Sequence, residues 1–255
     1  MNSSPVGRPI SHRIRQLYVG IRRAASQLVR TYHAFVADGG YRRPELWSDE
    51  GERWRRFRNA KWPRWWVPAG PAGLHAYRLR TTFEEIDMPW DWPVCVNYHE
   101  AKAFCAWRSA EDGRVYRLPT EAEHWLMRAL PDAPAADDDP VMRWSGAELR
   151  EQGVNLNLAW STESQVDLFP ATAHGLHDAG GNVWAWCEDV CNPLDDFIVH
   201  PYYEDFTVPC FDGQHQMLLG GSFISTGDEA SVWARFHFRP HFLQQAGIRL
   251  VAGSS

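Results

Sequence analysis

Most of the residues in this chain that could bind or activate a ligand lie in its last third. His237 and His241 stand four apart in H-F-R-P-H, a spacing that would put two imidazoles on one side of a helix and suggests a metal pair. Pro240 between them breaks a helix, although residues four apart also share a face in a strand. Two ligands do not complete a metal centre. The preferred reading of His237 is therefore the wall of a substrate pocket or a satisfied core imidazole. Arg235 and Arg239 bracket it. A guanidinium meets a carboxylate through two parallel N–H bonds, which suits an amino-acid substrate. The competing reading pairs these arginines structurally with Asp228 or Glu229.

Other groups carry weaker signals. His174 and His177, just before Asp178, are the next metal candidates, whereas His99 and His124 lie on separate predicted helices and read as structural. Cys187 and Cys191 form C-x3-C, while zinc sites more often use C-x2-C or C-x4-C with further ligands. They read as buried free thiols. The acidic run Asp137, Asp138 and Asp139 could hold calcium but reads first as a solvated charge run.

These residues need elements to hold them. A helix is predicted from Ile14 to Ala37, stopped by Gly39-Gly40. A second runs from Tyr98 to about Ser109, with Asn97 as N-cap, Glu100 completing a capping box, and Ala101, Phe104, Cys105 and Trp107 on its apolar side. A third starts after Thr120 and reaches about Leu130, with Glu121 and Glu123 in its first turn. Strands are predicted over 216–219, 231–238 and 247–251. Two strings, G-G-N-V-W-A-W (Gly180 to Trp186) and G-G-S-F (Gly220 to Phe223), read as neither regular helix nor regular strand. Paired glycines permit φ > 0 and close backbone approach. The tryptophans are anchors whose ring N–H needs a partner.

Composition narrows the classes. The chain has 255 residues with 14 tryptophans, 17 prolines and 19 glycines, a profile of a loop-rich globule with aromatic anchors. A net charge of −6 argues against general nucleic-acid binding, which needs a basic footprint. Five cysteines at irregular spacing imply no disulfide framework and point to a reducing compartment, the cytoplasm. No apolar run is long enough to span a membrane. Residues 1–31 are set apart as a basic, atypical extension, since six arginines and no acid precede Asp38. Such a segment can resemble a transit peptide.

The order of P-V-C-V-N-Y-H-E-A-K-A-F-C-A-W (Pro93 to Trp107), R-L-P-T-E-A-E-H-W (Arg117 to Trp125), the two glycine strings and A-G-I-R-L-V (Ala246 to Val251) resembles the formylglycine-generating-enzyme-like, or sulfatase-modifying-factor, domain. The resemblance implies an α+β, C-type-lectin-like fold over residues 32–255, loop-rich, with short strands and two to three helices. D-G-G-Y, M-P-W-D-W-P-V, H-P-Y-Y-E-D-F, I-S-T-G-D-E-A and F-R-P-H-F are similar to the central domain of the 5-histidylcysteine sulfoxide synthases of ovothiol biosynthesis. Those enzymes and their ergothioneine counterparts use non-haem Fe(II) and O2 to join a cysteine-type thiol to a histidine imidazole carbon.

By this resemblance Tyr202 or Tyr203 is the phenol beside the oxygen chemistry, and Arg235, Arg239, His237 and Asp228 bind substrate. A structural Ca2+ could sit at Asn155, Asn157 and Asp167. Three departures stand out. Ser225 and Ala230 replace the copper-binding cysteines of formylglycine-generating enzymes, and a Cu(I) centre requires soft thiolates. Ala185 replaces a calcium-binding glutamate. The three iron-binding histidines come largely from an N-terminal helical bundle in the sulfoxide synthases, and no H-x3-H-x-E string occurs here. The expected function is the substrate-side domain of a sulfoxide synthase acting on cysteine and histidine, its iron held by a separate helical-bundle domain. The chain would then be a fragment, a shortened reading frame or one member of a split enzyme. The alternatives are a formylglycine-generating oxidase and a non-catalytic, lectin-like binding module.

Overall fold

In the computed structural model, which describes residues 25–26, 29–128, 151, 153–171, 175–226, 229 and 234–252, the clearest sequence signal is also the best-formed element. Helix Tyr98–Asp112 (α3) has both halves of its capping box: Asn97 Oδ1 accepts from the Glu100 amide, and the Glu100 carboxylate accepts from the Asn97 amide. It ends at Gly113 in the left-handed conformation. Its predicted apolar side is buried, with Ala101, Phe104, Cys105 and Trp107 in the main core. The helix predicted over Ile14 to Ala37 is broken at Ala25–Ser26, and its positions 14–24, 27 and 28 lie outside the described residues. Ala25–Ser26 form a strand (β1), and helix α1 covers Val29–Ala37. Pairing with the chain's last strand satisfies the Ala25–Ser26 backbone in place of a helical turn. Gly39, at φ 78, stops α1 as predicted.

Helix α2, Asp49–Arg58, was not predicted. It has little apolar periodicity, but Ser48 caps it and three acids open it while three arginines close it, complementing the helix dipole. Helix α4, Glu121–Arg128, follows Thr120 as predicted. A four-residue helix, Glu204–Thr207 (α5), completes five α-helices among the described residues, against the two to three expected.

Three small sheets frame the core. Strands Trp66–Pro68 (β2), Tyr77–Arg80 (β3) and Glu85–Asp87 (β4) form one antiparallel sheet. Tyr116–Arg117 (β5) flanks Arg249–Ala252 (β10), whose other edge takes β1. The largest sheet has the order β8-β7-β6-β9, from Arg235–Phe238, Gln216–Leu219, Trp184–Val190 and Ala246–Gly247.

Strand β6 corrects the reading of G-G-N-V-W-A-W. The glycines and Asn182 do form bends, and a Cβ on Gly181, at φ 81, would come within 2.8 Å of the Asn155 carbonyl. From Trp184 to Val190 the chain is a strand, its register against β7 shifting between Trp186 and Val190. Trp184, Ala185, Trp186 and Cys187 are all buried, so their backbone needs a ladder. Trp186 also donates its indole N–H to the Val96 carbonyl at 2.9 Å. Tyr32, Phe35, Phe104 and Trp107 pack edge-on and stacked between α1 and α3.

Under this aromatic layer, Tyr41 donates to Glu100 at 2.6 Å and its oxygen lies 3.1 Å from that of Tyr32. Burial pushes the Glu100 carboxyl up to about 7, against the pull of its Tyr41 and Asn97 hydrogen bonds. A carboxyl whose pKa is raised by folding stabilises the fold while protonated and loses that contribution as pH rises through the folded value. The thermal midpoint of wild type should therefore fall relative to that of Glu100→Gln as pH goes from about 5 to about 7.5. Parallel midpoints across that range would contradict the buried, raised carboxyl.

Candidate functional site

Alternation along β7 and β8 sorts their side chains onto two faces. Leu218 and Phe236, paired across the strands, belong to the main core. Met217 and Leu219 turn the other way, into a cluster with Cys187 and Cys191, bordered by Trp125 and Phe211. Register places His237 opposite Met217 and Arg235 opposite Leu219. The second face of this sheet therefore carries the arginine and histidine singled out in the sequence, together with thiols. All five cysteines are free, and burial pushes the Cys191 thiol up to about 11.

The two arginines differ in what they already hold. Arg235 is bound by Glu121 of α4, Nε at 2.6 Å and Nη2 at 2.9 Å, and Nη2 also reaches the Asn192 carbonyl. Its carboxylate partner among the described residues is therefore Glu121, in the first turn of α4, and not Glu229. Arg239 lies at the rim, where Nη1 donates to Gln214 at 2.6 Å and Nη2 to Asp212 at 3.0 Å. Its side chain is 40% exposed against 20% for Arg235, so Arg239 is the more accessible cation for an incoming carboxylate. Asp228 and Ala230, both in I-S-T-G-D-E-A, lie outside the described residues, as do His174 and the run Asp137 to Asp139.

Asp212 organises the rim. Its Oδ1 accepts from His215 Nδ1 at 2.9 Å and from the Gln214 amide, and Oδ2 takes Arg239. The His215 hydrogen bond, with the Gln214 amide and Arg239, holds this carboxyl below the usual range. Among the described residues, one group of His, Cys, Asp and Glu side chains could surround a metal ion. Cys210, His215 and His237 offer ligand atoms within 4.8 Å of one another. The sequence reading paired His237 with His241 instead. His241 lies elsewhere, lining a 570 Å³ surface pocket with Glu50, Trp54 and His99.

Tyr202 and Tyr203 do not join the arginines. Both rings pack around His200 and both are exposed, at 86% and 62%. Phe197, Ile198 and Phe206 on the same segment are exposed as well. Of the oxygens considered for calcium, Asn155 Oδ1 is buried and finds no hydrogen-bond partner among the described residues, a state that suits a hard cation. Asn157 and Asp167 are exposed. Asp167 accepts from Gln165, and the Phe169 carbonyl accepts from His177 Nδ1. Ser225 is buried and its hydroxyl accepts from the Ser222 amide. A hydroxyl in that role offers no thiolate for copper. A thiol with two imidazoles is also not the three-histidine set implied for iron, so the described residues do not fit that iron.

The architecture is that of a formylglycine-generating-enzyme-like α+β domain, the class to which a fold likeness also points: Treponema denticola variable protein 1 superposes with a TM-score of 0.50 at 20% identity, covering 79% of this chain and 81% of that one. The chain belongs to the sulfatase-modifying factor enzyme 1-like domain family, whose model matches residues 24–253. It is 33% identical over 192 residues to the hercynine oxygenase of Mycobacterium tuberculosis, a match covering 74% of this chain and 41% of that protein. It is 28% identical to the formylglycine-generating enzyme of Streptomyces coelicolor, with 63% of this chain and 50% of that protein covered. The chain thus spans about two fifths of the length of the hercynine oxygenases it matches. No helix among the described residues is long and apolar enough to cross a membrane.

Arg235 and Arg239 should separate in stability. Arg235→Ala strips a half-buried Glu121 of its partner and should cost about 2–3 kcal/mol, below the full penalty of a buried pair because both groups keep some solvent. Arg239→Ala, at the exposed rim, should cost less than about 1 kcal/mol. Urea denaturation of the two variants measures both, and equal losses would contradict the assignment.

Proposed function

We propose that this chain is the thiol-binding side of an oxygen-dependent, sulfoxide-forming enzyme that joins a cysteine-type thiol to a histidine imidazole. The observation that carries the reading is the likeness to hercynine oxygenases over about three quarters of the chain. A further relative is called ergothioneine biosynthesis protein 1 in Schizosaccharomyces pombe. In this reading Arg239, held by Asp212 and Gln214, receives the substrate carboxylate. The phenol Oη of Tyr202 or Tyr203 would serve as the acid that donates a proton beside the oxygen chemistry.

Iron would supply the oxygen chemistry from a separate helical-bundle domain bearing the histidine ligands. Support for such a partner is the exposure of Phe197, Ile198, Tyr202, Tyr203 and Phe206 along one segment, since exposed large apolar side chains gathered together mark interaction surfaces. A bundle docked there would cover both tyrosines. A reducing, cytoplasmic setting agrees with five free thiols.

The chain should consume O2 with cysteine, histidine and Fe2+ once mixed with a separately produced histidine-bearing bundle from a hercynine oxygenase, and mass spectrometry should find the coupled sulfoxide. Arg239→Ala should raise KM for the thiol about 10- to 100-fold through loss of a charged hydrogen bond, with a smaller change in kcat. Thiol binding without O2 uptake would assign the chain to the binding-module class instead. Neither binding nor uptake would end the proposal.

A further inference from the structure

The face of β7 and β8 away from the main core carries a group that the sulfoxide-forming reading does not use. His215 lies two residues before Met217, and Met217 is paired with His237. Alternation puts His215 diagonally across from His237 on the same side. Cys210, in the single turn of 3-10 helix Val208–Cys210 just before, brings its sulfur to both imidazoles. Sγ and one ring nitrogen from each histidine lie within 4.8 Å of one another, all three residues being partly buried. Ligands around a tetrahedral zinc with bonds of 2.0–2.3 Å are about 3.5 Å apart. The three atoms therefore need to close by little more than about 1 Å, a side-chain adjustment.

Two independent features suit the group to a metal. His215 gives its Nδ1–H to the Asp212 carboxylate at 2.9 Å. That bond fixes the tautomer and leaves Nε2 with a lone pair, the carboxylate–histidine arrangement that commonly backs a metal ligand. His237 Nδ1 is buried and finds no hydrogen-bond partner among the described residues, an expensive state for a polar atom. The imidazole rings stand nearly perpendicular, with centroids 5.5 Å apart, so they do not stack face to face.

We infer that Cys210, His215 and His237 form a binding site for a borderline-soft divalent metal, Zn2+ by its ligand set, with Asp212 positioning His215. One thiolate and two imidazoles suit zinc, and three protein ligands leave a fourth position for water or an exogenous ligand. Binding displaces the Cys210 thiol proton, so the site takes up metal with release of a proton. The inference does not depend on sulfoxide chemistry, because its readout is metal binding and not turnover.

The test uses the full chain, stripped with chelator and titrated with Co2+ and then Zn2+. One Co2+ per chain should give the visible absorption of tetrahedral cobalt together with a near-ultraviolet thiolate band, and Zn2+ should abolish both. Cys210→Ser should remove the thiolate band, and Cys95→Ser, a buried thiol elsewhere, should leave it. Asp212→Asn should weaken metal affinity about 10- to 100-fold, as loss of an outer partner does. Circular dichroism of each variant confirms that it is folded. In place of Cys210→Ser, His237→Gln gives a second reading. Absence of a thiolate band in the wild-type chain, or its persistence in folded Cys210→Ser, overturns the site.

Discussion

The structure depends on one strand being held from every side. β6 lies inside the four-stranded sheet, and almost every residue of it fixes a different neighbour. Trp184 donates its backbone N–H to the Gln245 carbonyl, Trp186 donates its indole N–H to the Val96 carbonyl before α3, and the Cys191 amide just beyond donates to the His215 carbonyl. Glu188 accepts from both Lys102 of α3 and the Leu118 amide, while Asp189 accepts from the Glu121 amide at the start of α4. Helices α3 and α4, strands β7 and β9, and the rim near His215 are therefore positioned against a single extended segment. These partly buried carboxylates are tolerated because both Glu188 oxygens and Asp189 Oδ2 have donors.

That arrangement explains why α4 matters to the rim. The Glu121 amide is tied to β6, and its carboxylate is tied to Arg235 of β8. One helical turn thereby locks the outer strand to the sheet's centre. Glu123, two residues on, is occupied with Arg117 and with the Thr120 amide. The two glutamates that sequence patterning places together for the helix dipole in fact tie α4 to two different sheets, Glu123 to β5 and Glu121 to β8.

Local signals were the legible ones. The capping box at Asn97 and Glu100, the helix after Thr120, and strand Gln216–Leu219 were written in contiguous residues, and each formed where expected. α2 escaped because its stability comes from caps and charge order, with only Gly51 buried. β6 escaped because neighbouring glycines masked the strand that follows them. The family was legible from the order of its motifs. The metal-ligand group was not, because 27 positions separate Cys210 from His237 and only the β7–β8 register brings their face together. Sequence spacing singled out His237 with His241 instead, and Pro240 and the loop after β8 carry His241 to a different pocket. Arg235 and Arg239 look equivalent in sequence. Which of them is saturated depends on Glu121, more than a hundred residues away.

The pairing of β1 with β10 joins Ala25 to Leu250 and Ser26 to Arg249. A sheet closed by its first and last strands cannot be completed on a ribosome until the far end has emerged. Long-range pairings of this kind raise contact order and slow folding. They also bring the two ends of the domain together at one edge. A domain so closed can be spliced between other folding units, its neighbours entering and leaving side by side without threading through its core.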